Sequence, residues 1–205
     1  MQINIIIVGF TSQGIHKIGK IMASVATREG IPFKAQAIIN PASKLFSSIE
    51  VLLLRFGEGV FSPRFSQRNA DLILSLDYLF AQFFLDYLKD ESGVIIVSDL
   101  LHCITKSFPT SEDLINLMNK YKERASDLYI LKISEINNAY AKMLPLRNRF
   151  IIPIAASIGC IYKLGLLPVR REAYLESLKA ELKEKDLISI ALKVINNIQR
   201  FLERL

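Results

Sequence analysis

The sequence predicts an α/β fold, a mainly parallel sheet with helices on both faces. Three observations carry this. Short apolar runs alternate with segments of helical period along the first two thirds of the chain. The first run, Ile3 to Val8, is continuously apolar apart from Asn4, as in a strand buried on both faces of a parallel sheet. It leads into a glycine turn, Gly9-Phe10-Thr11-Ser12-Gln13-Gly14, and then into a helical pattern, the order in which nucleotide-binding α/β folds build a phosphate loop.

The elements follow in order. From Gly14 to Arg28, Ile15, Ile18, Ile21, Met22 and Val25 recur at helical spacing, and Gly30 supplies a stop. Phe33 to Ile39 reads as a second strand, and Asn40-Pro41 opens a loop. Ile49 to Phe56 is strand-like again. Gly57-Glu58-Gly59 turns the chain there, so that Val60-Phe61 is expected to pair back as a hairpin before Pro63. Ala70 to Leu76 reads as a buried strand. Asp77 is placed to cap a helix running to about Lys89, because its carboxylate can accept from free backbone N–H groups. Val94 to Val97 is the next strand, Ser111 to Arg124 a helix, and Leu128 to Ile133 the last strand. The remainder reads as helical. Arg149 to Lys163 is apolar on nearly all sides and therefore buried, with Gly165 as its cap and Pro168 beyond it. Amphipathic segments then run from Arg171 to Lys183 and from Leu187 to the end. Together these elements make a Rossmann-like sheet with a β-hairpin insertion and C-terminal helices. It forms one domain over residues 1–205, an α/β core at 1–145 and a helical part at 146–205.

Bulk composition narrows the function. At 205 residues the chain can bury a core without disulfides or metal. Its hydrophobic content of 51% is high, which points to apolar surface covered by a partner. No stretch reaches the roughly 18 apolar residues of a membrane span, and the apolar N-terminal run has no basic segment before it, unlike a signal peptide. A cytoplasmic location is expected. Cys103 and Cys160 lie too far apart for a metal or iron–sulfur motif and read as free thiols. His16 and His102 are the only histidines, which excludes a histidine-rich metal centre. The net charge of +6 is spread among acids without interleaved aromatics, a poor match to nucleic-acid binding.

In a dinucleotide loop the first glycine permits the turn, the second admits the pyrophosphate and the third allows helix and strand to pack closely. Gly9 and Gly14 keep the first and third places. Thr11 holds the second with a β-branched side chain, and no acid follows the second strand to hold a ribose. An ordinary NAD site is therefore not expected. Two readings stay open: a smaller anion on the helix N-terminus, with Ser12 and Gln13 as added donors, or glycines that serve only turn and packing.

Other constellations carry less. Ser12 and His16 stand four apart, but no orienting carboxylate is near in sequence. Asp99, Leu100, His102 and Cys103 follow a strand end, where α/β sheets gather ligands. Arg147, Arg149, Arg170 and Arg171 are candidates for a basic patch toward an acidic partner. The aromatics Tyr78, Phe80, Phe83, Phe84 and Tyr87 cover too much of their segment for a single core stripe, so part of the cluster is expected to be interface.

The motif V-G-F-T-S-Q-G at Val8 to Gly14 resembles the V-G-x-G-G-Q-G loop of the gamma-type subunit of 2-oxoacid:ferredoxin oxidoreductases, most of all the beta subunit of indolepyruvate ferredoxin oxidoreductase. Three further marks are collinear with it. V-L-L-L-R-F-G-E-G-V-F-S-P at Val51 to Pro63 is similar to that family's V-R-F-G-E…V-x-S-P. A-D-L-I-L-S-L at Ala70 to Leu76 is similar to its A-D-x-L strand. L-G-L-L-P at Leu164 to Pro168 is similar to its segment before the terminal helices. The departures are as definite. Thr11 and Ser12 replace the two central loop glycines, and Phe46, Ser47 and Ser48 stand where R-G-G is usual, with Lys44 the nearest cation. Ile154 replaces an asparagine early in the apolar helix.

The resemblance implies a chain that binds no cofactor itself. Thiamine diphosphate and iron–sulfur clusters would sit in a companion subunit, and ferredoxin would be reached indirectly. The loop residues Gly9, Thr11, Ser12, Gln13 and Gly14, with Lys44, Ser47 and Ser48 facing them, would line the edge of that companion's site. Two other functions remain possible from sequence: a stand-alone nucleotide- or phosphate-binding module, and a diverged paralogue that keeps only the fold and its interaction surface. A homo-oligomer is compatible with each.

Overall fold

The computed structural model describes residues 2–40, 48–101 and 109–205. Among the described residues seven strands form one sheet: β1 (Ile3–Phe10), β2 (Phe33–Asn40), β3 (Ile49–Phe56), β4 (Leu72–Ser75), β5 (Val94–Ser98), β6 (Asp127–Leu131) and β7 (Leu202–Arg204). Their order is β2-β3-β1-β4-β5-β6-β7. The central strands β1, β4, β5 and β6 are parallel, while β3 runs antiparallel to both β1 and β2. Every residue of β1 is buried, which is why its sequence reads as a continuous apolar run. β3 alternates between buried and half-buried positions, the period of a strand with one well-covered face.

Six α-helices are described: α1 (Ile15–Arg28), α2 (Ser111–Arg124), α3 (Ile133–Tyr140), α4 (Ile151–Lys163), α5 (Arg171–Leu182) and α6 (Lys185–Asn197). One face of the sheet carries α1 and the C-terminal helices around α4, whose residues from Ile151 to Ile161 are all buried. The other face carries α2 and the aromatic segment after β4. Thr110 and Asp113 close α2 at its start with reciprocal hydrogen bonds, a capping box.

Three expectations change. The hairpin exists one strand earlier than expected, between β2 and β3. Val60-Phe61 does not pair back, because both sides of β3 are already occupied, by β1 and β2, and Phe61 is 90% exposed. The segment after Asp77 winds as a 3₁₀ helix, Phe80–Tyr87, rather than an α-helix. Asp77 still serves its start, with Oδ1 accepting from the Leu79 N–H at 2.9 Å. The chain end is not helical throughout, since Leu202–Arg204 adds β7 to the sheet edge.

Candidate functional site

The glycine turn lies at the C-terminal end of β1, where ligands of α/β sheets collect. Residues 11–13 form a single 3₁₀ turn, Gly14 takes the left-handed conformation at φ +76°, and α1 begins at Ile15. The Thr11 N–H donates to the Ser48 carbonyl at 3.0 Å, so Ser48 does face the turn. Lys44 and Ser47 lie outside the described residues, as do His102 and Cys103.

The polar groups of this turn bond inward. Gln13 is buried, and its Oε1 accepts from the Phe10 N–H at 2.7 Å while its Nε2 donates to the Leu76 carbonyl at 3.0 Å. Its amide thus ties the end of β1 to the chain leaving β4. Gly9 makes room for it, because a Cβ at Gly9 would stand 2.5 Å from that same Oε1. Gly14 abuts α4, where a Cβ would meet the Ile154 side chain at 2.7 Å. Both glycines and the glutamine therefore hold the β1, β4 and α4 junction together.

The helix N-terminus has a carboxyl group of its own. Glu50 on β3 stands opposite Gly9 and is only 2% exposed. Burial pushes its carboxyl above the ordinary range, against a smaller opposing pull from His16, whose backbone N–H it accepts. A carboxyl group at a helix N-terminus satisfies a free backbone donor, and Glu50 does so for His16 at the start of α1. Sequence reading missed this residue, because only the antiparallel register of β3 on β1 brings it to the turn.

Beside the turn a cavity of about 480 Å³ opens at the same end of the sheet. Ser12, Leu100, Ile133, Phe150 and Pro153 line it, and Asn137, Arg147 and Arg149 add polar groups. Both arginines are exposed. Lys17 lies 4.6 Å from the centre of the ring of Phe150, one of the lining residues. Arg170 and Arg171 belong elsewhere: Arg170 pairs with Glu29 and Arg171 donates to the Asn196 side chain. Asp99 is engaged in fixing α3, accepting from the Ser134 N–H at 3.1 Å and from its hydroxyl.

Arg55, in the second family-like motif, donates to Asn4, Ser62, Arg64 and Gln2 and so pins the segment after β3 to the far end of the sheet. Cys160 is fully enclosed, and burial pushes its thiol far up, which suits neither a nucleophile nor a metal ligand. Among the described residues no three His, Cys, Asp or Glu side chains converge as a metal site would require, and no helix is long and apolar enough to cross a membrane.

Residues 4–199 match the family described as Pyruvate ferredoxin/flavodoxin oxidoreductase. No curated protein matches the chain in sequence. Among solved structures, a pyruvate oxidoreductase subunit from Thermotoga maritima superposes with a TM-score of 0.66 at 15% identity, over 99% of this chain and 98% of that one. The gamma subunit of a keto/oxoacid ferredoxin oxidoreductase from Geobacter sulfurreducens gives 0.64 at 14% identity, over 99% of both chains. A 2-oxoglutarate:ferredoxin oxidoreductase from Magnetococcus marinus, solved with 2-oxoglutarate, coenzyme A and succinyl-CoA bound, gives 0.65 at 11% identity, over 98% of this chain and 31% of that one. At these identities the likeness is one of fold.

Proposed function

Because this chain belongs to the pyruvate ferredoxin/flavodoxin oxidoreductase family, we propose that it is the gamma-type subunit of a 2-oxoacid:ferredoxin oxidoreductase complex of the indolepyruvate kind. It supports oxidative decarboxylation in a companion subunit that holds thiamine diphosphate and iron–sulfur clusters, and the complex works in the cytoplasm. The observation that carries this reading is the contrast at the C-terminal end of the sheet. The glycine turn is closed by Gln13 and Glu50, while the neighbouring cavity presents Ser12, Arg147 and Arg149 outward. A turn sealed from within does not suit a stand-alone nucleotide or phosphate module. An open basic cavity beside it suits a face completed by another chain, with an anionic substrate or acyl carrier between them. Thr11, Ser12, Gln13 and Gly14, with Lys44, Ser47 and Ser48, belong to the edge of that shared site.

The test is co-expression with the neighbouring thiamine-diphosphate subunit. The two chains are expected to purify together and to reduce ferredoxin only as a pair. A chain that elutes alone, with the companion fully active without it, overturns the reading. Calorimetry with ATP, NAD and inorganic phosphate is expected to give no heat with the isolated chain; binding would favour the stand-alone module. A complex that assembles without turning over any 2-oxoacid would mark a paralogue that has kept the interface and lost the chemistry.

A further inference from the structure

The two edges of the sheet are built differently. At one edge, β7 has only Leu202, Glu203 and Arg204, and both charges are paired, Glu203 with Lys132 and Arg204 with Asp127. A short, charged strand is a common way to discourage pairing with another chain. At the other edge, β2 has eight residues, Phe-Lys-Ala-Gln-Ala-Ile-Ile-Asn, with Lys34 its sole charge. Ile38 and Ile39 are 41% and 58% exposed, and Ala35 and Ala37 are exposed too. Within its eight residues it has no proline and no bulge, and among the described residues no strand pairs with its outer side, so the devices that usually blunt such an edge are not seen there.

The register shows which backbone groups are open. The Gly57 N–H donates to the Pro32 carbonyl at 2.9 Å, one step before the Phe33–Phe56 pair. In an antiparallel ladder, hydrogen-bonded and non-bonded pairs alternate. Lys34, Gln36 and Ile38 therefore bond to β3, and Phe33, Ala35, Ala37 and Ile39 turn their N–H and C=O groups outward.

We propose that β2 pairs antiparallel with β2 of a second copy of this chain, about a two-fold axis through Ala37, and makes one continuous sheet across the dimer. A two-fold pairing of antiparallel strands sets one residue against its own copy and keeps each face on its own side. With Ala37 at the axis, Ala35 faces Ile39 of the second copy, small against large, and Gln36 faces Ile38. The outward groups of Ala35, Ala37 and Ile39 meet those of Ile39, Ala37 and Ala35. Lys34 falls about 20 Å from its own copy, so no like charges oppose. This self-complementarity favours a second copy over an unrelated strand, and the inference does not depend on the function proposed above.

Sedimentation of the full chain over a range of concentrations tests it. The wild type is expected to associate to twice its monomer mass. Ala37→Pro removes an outward N–H from each copy and no bond to β3, and an edge strand tolerates proline there. It is expected to weaken association about ten-fold or more while circular dichroism is unchanged. Wild type that stays monomeric, or dimers that persist in this variant, overturn the proposal. If Ala37→Pro fails to fold, Ala37→Lys and Ala37→Glu decide. Each alone is expected to be monomeric, and their mixture is expected to pair. Dimers in either alone, or no pairing on mixing, count against it.

Discussion

The glycine turn and the cavity beside it share an end of the sheet and even share residues, yet they follow opposite rules. In the turn, Gln13 uses its carbonyl and its amide on the backbone, and the Glu50 carboxyl group fills the start of α1. In the cavity, Arg147 and Arg149 sit exposed on a lining of mixed polar and apolar groups. The turn looks functional by motif, and its buried groups also serve the packing of β1, β4 and α4. The segment before α4 has no motif and carries the outward-facing charge. A buried polar group left without a partner is costly, so a turn packed between three elements must satisfy itself. Exposed arginines on a cavity rim bear no such constraint and are free to meet another molecule.

The contrast breaks most easily at Gln13. Gln13→Ala removes the acceptor for the Phe10 N–H and the donor for the Leu76 carbonyl in a buried place, with an expected loss of about 4 kcal/mol. Urea unfolding measures it, and a loss within experimental scatter would mean that water or a ligand group serves these atoms. Next is Gly14→Ala, which combines left-handed strain with a Cβ driven into Ile154, for a loss of about 3 kcal/mol. Gly165→Ala is its control. Gly165 is also left-handed, at φ +62°, but a Cβ there meets nothing within 4 Å, so about 1 kcal/mol is expected. Equal losses at the two sites would show that backbone strain alone matters and that the contact with α4 does not.

How much of this was legible follows from range. β1, α1, β3 and α2 are readable because their apolar patterns and end signals lie within a few residues. The dense apolar run of α4 announced its burial in the same way. β7 was not, since three residues carry no period and only β6 makes them a strand. The hairpin was placed at Gly57-Glu58-Gly59 because glycines mark turns, while the pairing that decides it joins strands flanking residues 41–47, outside the described part of the chain. The site shows the same division. Gly9, Gln13 and Gly14 were legible as a motif, with turn and packing one of the readings open for the glycines, but their packing partners Leu76 and Ile154 were not, because they lie far along the chain. Glu50 was hidden among the apolar residues of its strand.

Glu50 gives a smaller effect with a definite sign. Its carboxyl titrates higher in the fold than the ordinary 4.5 because burial disfavours the charge. Between those two values the folded state holds the proton more tightly than the unfolded state. This residue's contribution is therefore greatest at low pH and declines as pH rises through that window. Glu50→Gln keeps an acceptor for the His16 N–H without the charge. Relative to wild type it is expected to gain above the window and to gain nothing below it. Thermal melts of both proteins from pH 4 to 8 resolve this. A wild type that gains on the variant as pH rises would mean that the helix terminus outweighs desolvation.

The smallest effect on stability is expected where the effect on assembly is largest. Arg147→Ala with Arg149→Ala removes two exposed cations from the cavity rim and is expected to change unfolding by less than about 0.5 kcal/mol. If a companion chain and its anionic substrate complete this cavity, the double variant should lose companion binding or raise the complex's KM for the 2-oxoacid or acyl carrier, and added salt should weaken the wild-type complex in the same direction. Lys at both positions restores charge without the planar fork of arginine, so partial rescue would indicate simple attraction and none would indicate bidentate recognition. If the double variant binds its companion and turns over as wild type does, the exposed arginines are solvated surface, and the distinction between a closed turn and a receptive cavity loses its functional half.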